Sequence, residues 1–128
     1  MYKGVINSPI EVIAGEPIPF ETLINDGMYT DIKEPGKPVL IGLHDYIVAS
    51  NVVITGVPRG SVASIKILSC GKDIPHAVAS VTSFAASFIN TLNIMELMHA
   101  RQADTECACL SVVTDVDCTI NAGSFCVA

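Results

Sequence analysis

Between Asp45 and Ala79 the chain reads DYIVASNVVITGVPRGSVASIKILSCGKDIPHAVA, and this stretch limits the fold more than any other. It predicts three strands joined by two turns. Val57-Pro58-Arg59-Gly60 separates the first pair of apolar runs, and Cys70-Gly71-Lys72-Asp73 separates the second. Pro58 fixes its own φ, while Gly60 and Gly71 can take the positive φ that tight turns require. The even positions Tyr46, Val48, Val52 and Ile54 form one apolar face, yet the odd positions Ile47, Ala49 and Val53 are apolar too. Such a strand is expected to be covered on both sides. Ser61 to Ser69 repeats the theme, with Val62 and Leu68 on one side and Ala63, Ile65 and Ile67 on the other.

A sheet this apolar needs cover, and one small protomer has little to give. The 128 residues have room for one domain with a sizeable core. Half the residues are apolar and mean hydropathy is +0.51. From Val39 to His99 the charged side chains are Asp45, Arg59, Lys66, Lys72, Asp73 and Glu96. Soluble proteins rarely expose large continuous apolar patches. No apolar run approaches the roughly 20 residues of a spanning helix, so membrane insertion is not expected. A homo-oligomer that buries a second surface is. The net charge of −6 and pI near 4.8 argue against nucleic acid as the partner. No apolar h-region follows Met1-Tyr2-Lys3-Gly4, so ordinary secretory export is not expected either.

Residues 1–14 read as a short lead-in broken at Asn7-Ser8-Pro9, an edge strand or an arm reaching onto a neighbour. Gly15-Glu16-Pro17-Ile18-Pro19 stops any helix. Phe20 to Ile24 and Met28 to Ile32 are strand-like about the turn Asn25-Asp26-Gly27, and Lys33 to Pro38 is a polar loop. Ala77 to Phe88 and Leu92 to Ala103 fit either a helix or a strand by spacing and propensity. Cys107 to Val113 and Thr119 to Val127 are strands, with Gly123 marking a bulge or tight approach. Short strands at such spacing point to a sandwich.

Candidates for chemistry are few. Cys107-Ala108-Cys109 places two thiols on one strand face, and Cys118 could approach across the following turn; three thiolates would suit zinc. No C-x₂-C spacing or paired histidine accompanies them, so packed thiols are expected and no metal or other cofactor. Thiol or disulfide remains open for Cys107, Cys109, Cys118 and Cys126. His44 and His76 lie beside turns and His99 near an element end. No serine stands in a G-x-S-x-G elbow, and Asp115 and Asp117 lack a calcium-loop glycine. No catalytic residue is assigned and no enzyme is expected.

The order of segments resembles the jelly-roll domain of tumour necrosis factor and of the globular head of complement's first component, with small bacteriophage and spore-surface versions nearest. The resemblance begins at Ala14-Gly15-Glu16-Pro17-Ile18-Pro19-Phe20. It continues through Pro38 to Val53 with Tyr46-Ile47-Val48, then Ile65 to Pro75, and ends with Ala108 to Val113 and Ile120 to Ala128. Asp45 stands where a glycine is common, and Cys70 where an asparagine is.

The resemblance implies an all-β antiparallel sandwich of about eight to ten strands over residues 15–128, assembled as a homotrimer. It also favours strands for the two ambiguous stretches. Tyr46, Val48, Val53, Ile65 and Ile67 are the expected assembly or core residues, and Tyr2, Val5 and Ile6 the expected attachment arm. The function implied is non-enzymatic: a bacteriophage capsid decoration or head-fibre trimer. It would be made in the host cytoplasm and held on the virion by the major capsid protein or another virion protein. The alternative is a receptor- or glycan-binding tip, for which the chain offers no Trp and only scattered Tyr2, Tyr29 and Tyr46.

Overall fold

Alternation along the long strands sorts their residues into two layers. The computed structural model describes residues 1–26, 30–41, 45–99 and 109–128. These contain eleven strands: β1 (Tyr2–Ile6), β2 (Ile10–Val12), β3 (Glu21–Asn25), β4 (Thr30–Glu34), β5 (Lys37–Leu40), β6 (Asp45–Thr55), β7 (Val62–Ser69), β8 (Lys72–Thr82), β9 (Asn90–His99), β10 (Leu110–Thr114) and β11 (Cys118–Val127). The larger sheet runs β3-β1-β11-β6-β9, with β2 also beside β11, and all its pairs are antiparallel. The smaller runs β10-β7-β8, and the β4–β5 hairpin joins β10 through a bridge between Val39 and Cys109.

The three strands of the 45–79 stretch do not share one sheet. β6 lies in the larger sheet and β7 and β8 in the smaller, so the turn at 56–61 carries the chain across the sandwich. The crossing lets each strand cover another: Tyr46, Val48, Val52 and Ile54 of β6 pack in one core with Ala63, Ile65 and Ile67 of β7. Tyr46, Val48, Ile65 and Ile67 are therefore core residues, whereas Val53 points outward and is half-buried.

Between Ser69 and Lys72 the hairpin has only Cys70 and Gly71, both at positive φ (56° and 74°), the signature of a type I′ turn. Leu92 and Ile94 alternate inward on β9, so tertiary packing overrides the helix propensity of that stretch. The polar loop expected at 33–38 is shorter, because β4 runs to Glu34 and β5 starts at Lys37.

The attachment arm expected at Tyr2, Val5 and Ile6 is corrected. Those residues form β1, hydrogen-bonded to β11 on one side and β3 on the other, so it is neither a free arm nor an edge. Tyr2 and Ile6 are buried, and Tyr2 stacks edge-on to Phe125 with ring centres 5.8 Å apart. Phe20 packs against the same Phe125 ring at 5.8 Å. Residues 1–14 thus belong to the sandwich, because their apolar side chains complete its aromatic core.

Candidate functional site: the outer face of the large sheet

Because β-strand side chains alternate, burying one set of β6 and β9 residues exposes the other. On β6 the outward set is Asp45, Ile47, Ala49, Asn51, Val53 and Thr55, and on β9 it includes Thr91, Asn93, Met95 and Leu97. Met95 is 77% exposed, Leu97 54% and Ile47 50%, so none of the described residues covers them. Asp45 stands at the start of β6, but from Ile47 to Val53 and from Thr91 to Leu97 no outward side chain is charged, although the chain carries 20 charged residues. Register aligns them in rows: Cys126, Ala49 and Met95 are successive cross-strand partners, as are Ser124, Asn51 and Asn93. Asn51 Nδ2 donates to Asn93 Oδ1 across that second row. Small side chains at Ala49, Ser124 and Cys126 leave a groove of ≈ 470 Å³ there.

A second exposed cluster lies where β6 and β8 end. Phe84 is 69% exposed, and its ring meets that of Phe88 at 5.8 Å and 61°, while the Arg59 guanidinium sits 5.8 Å from the Phe84 centroid. The loop that presents them is pinned. Ser83 Oγ lies 2.8 and 3.0 Å from the carbonyls of Val57 and Ala85, sharing its one proton between them, and Gly56 N–H and Gly60 N–H donate to the carbonyls of Ala86 and Ser83. Sequence reasoning passed over this cluster, since Arg59 and Phe84 sit in separate turns with no periodicity linking them.

Cys109 and Cys118 do not converge. Cys109 borders the β7–β8 turn, accepting a hydrogen bond at its carbonyl from Cys70 N–H, whereas Cys118 is buried at the far end of β10 beside Val12. Burial raises the Cys118 thiol pKa; a hydrogen bond with Thr114 opposes it, and the Asp115 and Asp117 charges add smaller increases. Cys107 and His44 lie outside the described residues. Among the described residues no group of three His, Cys, Asp or Glu side chains is placed to hold a metal. His76 does not sit beside a turn. It occupies a bulge inside β8, at φ 66°, where Ile74 to Ala77 oppose a single β7 residue.

No protein-family model matches the chain, and no curated protein matches it in sequence. Solved structures match it closely in shape. The globular domain of zebrafish complement 1qA protein superposes with a TM-score of 0.67 at 10% identity, over 99% of this chain and 94% of that one. The Eiger TNF structure from S. frugiperda gives 0.68 at 9% identity, over 98% and 90%. The PRD1 vertex protein P5 gives 0.55 at 13% identity, over 97% and 94%. The fold is a jelly roll of the tumour necrosis factor and complement globular-head type, as the segment order in the sequence led us to expect.

Proposed function

We propose that this chain is a non-enzymatic structural protein that trimerises through the outer face of its large sheet and decorates a virus particle, as a bacteriophage capsid decoration or head-fibre protein. The outer face of β6 and β9 carries this reading: it is uncharged from Ile47 to Val53 and from Thr91 to Leu97, and Met95, Leu97 and Ile47 lie exposed on it. With the β11 positions Ser124 and Cys126 it is three strands wide and about seven residues long, on the order of 350 Å². That is within the range of the largest patches on monomers, which are often interaction sites. The likeness to the PRD1 vertex protein P5 supports the virion setting. The major capsid protein or another virion protein is the partner, and host cytoplasm the place of synthesis. Two measurements test the reading. Solution mass should be three times 13.5 kDa, a monomer overturning the trimer; and labelling of purified particles should place the chain on their surface, its absence there overturning the virion role.

A second reading, a receptor- or glycan-binding tip, is favoured by the rigid Arg59–Phe84–Phe88 cluster, which contributes nothing to the core. Glycan-array binding that is lost in Phe84→Ser would rank it first, and a blank array would remove the glycan form of it.

A further inference from the structure

We propose that the Asn51–Asn93 amide pair is a polar layer that fixes how many copies assemble and in what register. This rests on the trimer reading above. The outer face is apolar at Ile47, Leu97, Ala49 and Met95, then carries an amide row at Ser124, Asn51 and Asn93, and beyond it the mixed row of Val53 and Thr91. The occupant of this face is a second copy of the chain. Copies that each carry −6 repel through most of their surface, but not through a face whose outward side chains, from Ile47 to Val53 and from Thr91 to Leu97, hold no charge.

The bond from Asn51 Nδ2 to Asn93 Oδ1 uses one donor and one acceptor of the pair. Each side-chain amide has two donors and an acceptor, so several polar valences face outward in the protomer. Covering them without partners is costly. In a ring whose axis runs along β6 and β9, each row meets the same row of the next copy, and the amides find amides. A slip by one inward–outward repeat sets Met95 or Ala49 over the amide row and leaves those groups unpaired. The layer thus penalises every arrangement but one, as a single buried Asn does in coiled coils.

The test uses the full chain and native mass spectrometry. Asn51→Val alone strands Asn93 and should lower the thermal midpoint by several degrees. Asn51→Val with Asn93→Val should regain or exceed the native midpoint while populating more than one stoichiometry. Co-expressed with the native chain, that double variant should sort into its own assemblies. A double variant that stays a single trimer and mixes binomially with native chains overturns the layer and leaves the trimer reading intact. A monomeric native chain overturns both. Both asparagines are exposed in the protomer, so its core is untouched. If the valine pair nonetheless blocks folding, Asn51→Ser with Asn93→Ser, whose hydroxyls are too short to meet across the axis, gives the same two readouts.

Discussion

The hydroxyl of Tyr2 lies 2.3 Å from the point where a Cβ on Gly4 would stand, and the Phe20 Cβ lies 2.7 Å from it. Tyr2 therefore folds back along its own strand over Gly4, and both belong to the aromatic core of the large sheet. Gly4→Ala has to push a buried aromatic ring aside. Overpacking of this kind costs about 1–3 kcal/mol, read as a lower denaturation midpoint at fixed protein concentration.

The Tyr2 hydroxyl is buried and meets no partner in hydrogen-bonding geometry; burial pushes its pKa from 10.0 up to about 12, with nearby Thr22 opposing and Cys126 adding to the rise. Above pH 10 the unfolded chain loses this proton while the folded one keeps it. Stability contributed by the neutral hydroxyl is complete below pH 10 and falls as pH climbs toward about 12. The loss reaches about 2–3 kcal/mol. Tyr2→Phe should flatten that alkaline slope and leave neutral-pH stability unchanged or higher, since it deletes a buried unpaired polar group. Urea melts at pH 8 and pH 11 compare the two.

Cys70 takes φ 56° in the two-residue turn, a conformation in which non-glycine residues are strained and asparagine is tolerated best. Cys70→Asn should therefore stabilise the hairpin by about 0.5–1 kcal/mol. Calorimetry that shows a lower midpoint would mean the thiol makes a contact worth more than the turn strain.

Charges introduced on the two faces of the sandwich should have opposite phenotypes. Ile67→Asp places a carboxylate in the core and should abolish folding, because an unpaired buried charge costs several kcal/mol. Met95→Asp, on the outer face, should leave folded monomers and weaken assembly by about two orders of magnitude or more. Val53→Asp should behave like Met95→Asp. Sedimentation with far-UV circular dichroism separates these outcomes.

Much of the fold is written in alternation and turn chemistry. Tyr46, Val48, Ile65 and Ile67 are apolar at period two and lie in the core, and the break at Val57–Gly60 falls where β6 ends. The sheet each strand joins is not written there, because residues on either side of a turn look the same whether the chain doubles back or crosses over. The outward face of β6 was visible only as surplus apolarity; Met95 and Leu97 join it through cross-strand register, which sequence spacing does not encode. The lead-in looked like an arm because five residues carry little periodic signal. Its place is set by pairing with β11, more than 100 residues away in the chain. The Phe84–Phe88 cluster had no signal of its own, since its loop is shaped by one buried hydroxyl, that of Ser83.

That β11 runs through the middle of the large sheet, touching β1, β2 and β6, has a consequence for synthesis. Tyr2 pairs with Val127, so β1 waits for a strand made more than 100 residues later before it finds that neighbour. Until then β1 and β6 each offer an open backbone edge to whatever is nearby, and such edges invite misassembly. A stop codon at the start of β11 would leave no shortened but serviceable protein. It would remove the strand on which β1, β2 and β6 converge.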